Sequence, residues 1–370
     1  MIKWNKMKSW VAEANNEARR FLDTHKKNVF VYGAGIAGYW YLNYLSLNNV
    51  DVEGFIVTCV DDVDKNNIPG KLSVFSLDYV ISNYKDYSIV IGSPKYKNEI
   101  CNTLKEKCNS EDIYSFEGEI YFTFLHDLEA YRDYILKNWD RIERLYNRLA
   151  DDKSRETLQA FIMGRISGNQ DYFSDCMVSD QYYPTDVISL KDEEVLVECG
   201  ANDGRTLCEF IEKVNNRYKH IYLFEPDKSC IKQIRNVISD KSVENIDLIE
   251  KAVWESRTKL KFIEDEKYGF GRITNLGADY YVETETIDNI VLIPPTFIKM
   301  DIEGAELNAL KGGAESIKKY TPKLAVCVYH RVGDFLDIPE YISHVNGNYK
   351  LYLRHHNWAA TETVLYAVPN

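Results

Sequence analysis

The sequence predicts an α/β protein: a small α/β domain at residues 1–118, a helical connector at 119–184 and a second α/β domain at 185–370. Three observations support that division. Short apolar runs alternate with helical patterns toward both ends, only a helical period runs between them, and each α/β region opens on strand, glycine turn and helix. At 370 residues the chain is also long for one core.

In the first region "NVFVYG" leads into Ala37, Trp40, Tyr41, Tyr44 and Leu45 at helical spacing, followed by "VEGFIVT", "YSIVIGS" and a helix through Ile100 and Leu104. That alternation predicts a small parallel, Rossmann-like sheet. In the connector Leu128, Tyr131, Ile135, Trp139, Ile142, Tyr146 and Leu149 step by three or four residues, predicting one long amphipathic helix, and "RETLQAFIMGRI" predicts a second. Asp133, Lys137, Asp140, Arg141, Glu143 and Arg144 form either its solvated face or the seam of a homodimer. The third region holds seven strand candidates: "EVLVECG", "HIYLFEP", "IDLIEKAV", "TFIKMD", "KLAVCVYH", "YKLYLRHH" and "ETVLYAV". The short "NWAAT" joins the last two as an antiparallel hairpin. Five parallel strands closed by an antiparallel pair is the architecture of the class I, S-adenosylmethionine-dependent methyltransferase fold.

Composition narrows the function. The net charge of −12 would repel a phosphate backbone, and no basic run offsets it, so nucleic acid is not an expected partner. Eight cysteines (Cys59, Cys101, Cys108, Cys176, Cys199, Cys208, Cys230 and Cys327) show no CxxC pair, which points to reduced thiols rather than a zinc site. No apolar stretch approaches the ~18 residues of a membrane span, and the start of the sequence lacks the apolar core of a signal peptide. A cytoplasmic location without a membrane span is the expectation. The 27 tyrosines fit sugar-stacking surfaces and ordinary packing equally.

The two glycine turns make different demands on a ligand. In "VYGAGIAG", Gly33, Gly35 and Gly38 have the spacing of a dinucleotide-binding loop. An NAD site also needs an acid at the end of the second strand, and that place holds Thr58, while Asp51 and Glu53 lie at the strand's other end. Either a nucleotide or only a tight strand-to-helix crossing accounts for these glycines. In "VECGANDG" the loop of Gly200, Ala201, Asn202 and Gly204 is matched by Glu225-Pro226 at the end of the second strand, where a carboxylate can accept from a ribose diol. Ala252 joins the cofactor set, and Glu198, the one charge in its apolar run, needs a polar partner.

"KMDIEGAE" then places Asp301, Glu303 and Glu306 at a strand end and the start of a helix. Alternatives for them are the positive side of the cofactor, a divalent cation held by Asp301 and Glu303, or an acceptor hydroxyl. His330 ends the next strand and is the expected general base, with Asp301 beside the methyl group. "GFGRITNLG" (269–277), with Arg272, is a candidate acceptor loop, and Tyr182, Tyr183, His355 and His356 are candidate residues of the same mouth.

On "DQYYP", "VECGANDGRT", "IYLFEPD", "ETIDNI", "FIKMDIEGAELNALKGGAESI", "PKLAVCVYHRVGDFLDIPEYI" and the final hairpin, residues 180–370 resemble the FkbM-type methyltransferase family. The resemblance implies methyl transfer from S-adenosylmethionine to a hydroxyl oxygen, commonly of a surface-polysaccharide sugar or a natural product. It maps Glu198, Gly200, Asn202 and Gly204 to the cofactor loop, Glu225 to the ribose acid, and Asp301, Glu303 and Glu306 to the acidic motif. Glu198 stands where the family often has Asp. The first region resembles the small Rossmann-like domains attached to bacterial sugar-modifying enzymes, which implies a glycan setting. The rivals are an NAD-dependent sugar-nucleotide oxidoreductase or epimerase using the first loop, and a glycan- or nucleotide-binding module without catalysis.

Overall fold

The structure is a computed structural model that describes residues 2–64, 68–116, 128–265, 270–274 and 280–370. Residues 119–127 of the connector, and 269 and 275–277 of the candidate acceptor loop, lie outside the described residues. The chain divides into two compact units. The first comprises Met1–Asp140, Glu156–Met177 and Asn357–Thr361, and the second Arg141–Arg155, Val178–His356 and Glu362–Asn370.

In the first unit strands β1 (Asn28–Tyr32), β2 (Val52–Val57), β3 (Ser73–Ser76), β4 (Tyr87–Ile91) and β5 (Ile113–Tyr114) form a parallel sheet in the order β3-β2-β1-β4-β5. Parallel strands covered on both faces read as continuous apolar runs, and the inner residues of β1 and β4 are all buried. The glycine turn follows β1 and feeds the helix Ile36–Leu47. Gly33 has φ +115°, and a Cβ on Gly38 would stand 2.1 Å from the Gly33 carbonyl oxygen. Those two glycines are required by the crossing itself. A Cβ on Gly35 would meet nothing within 4 Å.

The helix predicted over Leu128–Leu149 is two helices, Leu128–Lys137 and Trp139–Arg148. The break falls at Asn138, whose backbone N–H and side-chain amide both donate to the Tyr134 carbonyl. A side chain competing for a helical carbonyl is a common reason for such an interruption. The second predicted helix runs over Asp152–Ser167.

The second unit contains β6 (Glu194–Cys199), β7 (Tyr218–Phe224), β8 (Ile246–Ile249), β9 (Ala252–Val253), β10 (Lys259–Asp265), β11 (Phe270–Ile273), β12 (Tyr280–Glu285), β13 (Phe297–Met300), β14 (Lys323–Cys327), β15 (Tyr349–His355) and β16 (Thr363–Pro369). Seven of them form the main sheet in the order β15-β16-β14-β13-β6-β7-β8. Its pairs are parallel except β14–β16 and β15–β16, so the predicted seven-stranded fold with an antiparallel end is present. The strand read as "IDLIEKAV" divides after Ile249, and Ala252–Val253 leaves for a second sheet ordered β11-β10-β12-β9. Alternation was available to announce that sheet: in β10 Lys259, Leu260, Lys261 and Phe262 change face residue by residue, and Phe262 packs with Ala252 and Val282. Among the described residues no helix is long and apolar enough to cross a membrane.

The first glycine turn yields a stability prediction. Gly38→Ala forces a methyl group onto the Gly33 carbonyl and is expected to lower stability by about 1–3 kcal/mol, whereas Gly35→Ser, in open space at a helix N-cap, is expected to be close to neutral. Urea denaturation of both variants checks this, and equal midpoints would refute the close crossing.

Candidate active site

The site is built at the carboxyl edge of the main sheet, where open α/β folds bind ligands. β6 ends at Cys199, and the following loop runs to Gly204, which has φ +84° and caps the helix Arg205–Lys213. Gly200 has φ +82°, and a Cβ there would lie 2.0 Å from the Asp301 carbonyl oxygen, so only glycine lets the loop rest on the end of β13. The Asn202 and Asp227 N–H groups donate to the two carboxylate oxygens of Glu225, each at 2.9 Å. Burial pushes the Glu225 carboxyl up to about 7 against the pull of those two N–H groups.

These elements enclose a cleft of about 880 Å³, open mouth included. Of the expected cofactor residues Gly200, Ala201, Asn202, Glu225, Pro226, Ala252 and Asp301 line it, as do Tyr182, Arg272 and Glu303 from the expected acceptor set. Phe224, Val253 and Phe262 give it an apolar side. The second sheet therefore contributes to the cleft, through Phe262 and Gly271–Ile273 as well as Ala252 and Val253.

Other expected site residues stand behind this lining. Glu198 is fully buried, accepts from the Thr206 hydroxyl and faces Lys299 Nζ at 3.4 Å. Lys299 Nζ in turn donates to the Gly200 carbonyl at 2.7 Å. The polar partner that Glu198 required is thus a lysine of β13, and together they hold the Gly200 loop from beneath. Burial alone would strip the Lys299 proton, but Glu198 and Asp301 hold its ammonium above the usual value. A lysine inside the apolar "TFIKMD" was the available signal.

Asp301 follows β13, and its Oδ2 accepts from the Tyr182 hydroxyl at 2.6 Å. Its Oδ1 faces His330 Nε2 at 3.4 Å. Glu303 has φ +54° and precedes Gly304 at φ +91°, a turn after which its carboxylate stands 3.5 Å from the same Nε2. Glu306, the first residue of the helix Glu306–Gly312, accepts from the Ile302 N–H and faces His330 Nδ1, both at 2.9 Å. His330 is therefore surrounded by three carboxylates, with its side chain 1% exposed and outside the cleft lining.

The titration of the cluster follows from that packing. Burial works against a charge on His330, but Glu306, Glu303 and Asp301 outweigh it and hold its pKa well above the ordinary imidazole value. Burial also opposes the Asp301 carboxylate, which His330 and Lys299 nevertheless keep below its usual pKa. Glu303 is pushed up to about 7 by burial, against the attraction of His330 and with the repulsion of Asp301 and Glu306.

Sequence reading missed Glu362 and Gln181. Glu362 offers a carboxylate oxygen within 4.8 Å of donor atoms of Asp301 and Cys327, and Gln181 Nε2 donates both to Glu362 and, at 2.9 Å, to the Tyr182 hydroxyl. Their signal was weak, since Glu362 opens "ETVLYAV" as an ordinary strand-end charge. Tyr183 packs edge-on against Phe297, His355 Nδ1 meets the Thr363 hydroxyl, and His356 lies between the Val178 carbonyl and Tyr366. None of these three lines the cleft.

A divalent cation finds a poor donor set among the described residues. Asp301, Glu306 and His330 lie close enough together, as do Asp301, Cys327 and Glu362, whereas Glu303 belongs to neither group. His330 presents N–H groups where a metal needs lone pairs, and burial keeps the Cys327 thiol protonated.

In the first unit Gly33 lines a separate cleft of about 700 Å³ with Tyr32, Val57, Thr58, Ser93, Tyr96, Glu99 and Ile100. Gly35 and Gly38 do not line it, and Thr58 occupies the place of the ribose acid.

Residues 198–351 match the family model described as the methyltransferase FkbM domain. The chain is similar to the crystal structure of methyltransferase FkbM from Methylobacillus flagellatus, with 22% identity over 98% of this chain and 97% of that one and a TM-score of 0.78. An rRNA methylase from Streptococcus thermophilus shares 18% identity over 49% of this chain and 89% of its own, with a TM-score of 0.33. No curated protein matches. The solved structure shares the fold, and the match to the methyltransferase FkbM domain covers the site-bearing segment, residues 198–351.

Proposed function

We propose that the second unit transfers a methyl group from S-adenosylmethionine to a hydroxyl oxygen of a sugar, in a surface polysaccharide or linked to a nucleotide. The observation that carries the proposal is the meeting, in one cleft, of a glycine loop, the Glu225 carboxylate and the Asp301–Glu303 edge. The donors and acceptors of the cleft fit this ligand. Glu225 would accept from the ribose hydroxyls, and Phe224, Val253 and Phe262 would cover the apolar base. When bound, the cofactor supplies an electrophilic methyl group on a sulfonium. Asp301 would lie on the positively charged side.

The remaining task is alignment of the acceptor oxygen with the methyl carbon while water is kept out. His330 was the expected base, yet its burial and three carboxylate neighbours favour the role of a fixed cation that organises them. We assign the acceptor proton to Glu303, which reaches the cleft and is pushed up to about 7. A sugar acceptor agrees with this arrangement, because carboxylates accept hydrogen bonds from hydroxyl groups. It also agrees with the family resemblance of residues 180–370.

S-adenosylmethionine and S-adenosylhomocysteine are expected to raise the thermal unfolding midpoint, and NAD is not. Glu225→Ala should weaken binding of both by roughly 10–100-fold, the value of a hydrogen bond to a charged group. Stabilisation by NAD alone would move the chemistry to the first unit.

Release of S-adenosylhomocysteine across nucleotide-linked sugars, methyl glycosides and extracted surface glycans tests the reaction. With an acceptor so identified, Glu303→Gln is expected to reduce kcat by about 10²–10⁴-fold while cofactor binding persists. An unchanged kcat would remove Glu303 from the base's role.

The His330 cluster also makes stability depend on pH. Folded His330 keeps its proton where an unfolded imidazole loses it, so its contribution is complete below about 6.5 and is lost as pH rises through the raised folded value. Glu303 and Glu362, both pushed up to about 7 by burial, act in the same direction, but over the lower window between about 4.5 and about 7, which leaves the fall above pH 7 to His330. Urea midpoints should therefore fall from pH 7 upward, and ¹⁵N spectra should show both His330 nitrogens protonated at pH 7.5. A neutral ring at that pH would contradict the fixed cation.

A further inference from the structure

We propose that Gln181 and Glu362 are positioning residues that act through Tyr182 to aim the Asp301 carboxylate at the charged sulfur of the methyl donor, an inference resting on the donor assignment above.

The direction of each hydrogen bond follows from what the groups can do. Glu362 presents a carboxyl oxygen that accepts from Gln181 Nε2, which sets the Gln181 amide with its NH₂ toward it. The same nitrogen donates its second hydrogen to the Tyr182 oxygen at 2.9 Å. Having accepted there, the Tyr182 hydroxyl directs its own hydrogen to Asp301 Oδ2 at 2.6 Å. The chain Glu362–Gln181–Tyr182–Asp301 therefore has one polarity from end to end.

Its members are held in place from other sides. The Tyr182 N–H donates to the Tyr366 hydroxyl at 3.0 Å, and Tyr366 is within 2.9 Å of His356 Nε2. Lys299 Nζ stands 4.8 Å from the centre of the Tyr182 ring. Tyr182 and Glu362 both have φ +68°, a conformation rare for residues with side chains. Asp301 keeps 22% of its side chain exposed, and Tyr182, 4% exposed, reaches the cleft as the support of Asp301.

S-adenosylmethionine and S-adenosylhomocysteine share both ends and differ at the sulfur, which is charged in the first and neutral in the second. A carboxylate aimed at the sulfur favours the charged ligand alone. Calorimetric titration of the full chain with each ligand measures that preference as a ratio of Kd values. Tyr182→Phe and Glu362→Ala are each expected to reduce the preference about fivefold, the effect of one hydrogen bond. Glu362→Gln, which retains an acceptor for Gln181, should preserve it. Glu362 also meets the Tyr329 hydroxyl, which donates to Asp301 Oδ1 at 3.4 Å, so the coupling is measured in a Tyr329→Phe background, where the double variant Tyr182→Phe/Glu362→Ala should match Tyr182→Phe alone.

Equal weakening of both ligands would reveal a merely structural role and overturn the inference, as would an unchanged ratio in Tyr182→Phe, the variant least disruptive to packing. Independent, multiplicative effects in the double variant would also overturn it. A wild-type chain that binds neither ligand refutes the donor assignment itself, and the relay with it. Binding of both with a ratio indifferent to these variants refutes the relay alone.

Discussion

Much of the site depends on a buried imidazolium. An isolated charge inside a protein is strongly disfavoured, and removing one member of a buried pair leaves the other exposed to that penalty. His330 escapes it because Asp301, Glu303 and Glu306 surround it, and they in turn would repel one another without it. The consequence is geometric: the turn after β13 and the start of the helix Glu306–Gly312 are drawn to one ring. Two carboxylates, Asp301 and Glu303, are left at the cleft wall, while Glu306 and the ring stay behind it.

The same logic operates one strand away. Lys299 and Glu198 are a buried pair on adjacent strands, in register at Lys299 and Glu198 themselves. One N–H of the lysine goes to the Gly200 carbonyl, so a pair within the sheet fixes a loop at its edge. Removing Glu198 alone would leave Lys299 a buried cation with less compensation, and the loop would lose its anchor. Glu198 thus influences the cleft without touching it.

Most of the fold was legible in the sequence because it depends on period. Seven apolar strands, a terminal hairpin and two glycine turns leave repeating patterns that a window of several residues can register. The meeting of Glu225 with the Gly200–Gly204 loop was legible as well, since it is a local pairing of strand end and loop. The reacting end was less so. Lys299, Glu303 and Glu306 are close in sequence to Asp301, but Gln181 and Glu362 reach it from separate segments, and no spacing rule connects them. The second sheet was hidden differently: its alternating strands carry many charges, which read as loop when apolar content is the criterion.

The two glycine turns show why a fuller motif is a weaker guide to chemistry. In the first, Gly38 lies against the Gly33 carbonyl, so two of its three glycines serve a contact within the turn. Its neighbouring strand ends at Val57 and is followed by Thr58, and nothing in that contact involves a reacting group. In the second, Gly200 lies against the carbonyl of Asp301. The backbone that would bend round the cofactor is therefore packed on the residue placed beside the reacting atoms. A displacement of one is transmitted to the other through hard contact, because a close-packed interior has no slack to absorb it. The Gly200 loop and the Asp301 edge are in that sense one rigid element, a coupling that the first turn lacks.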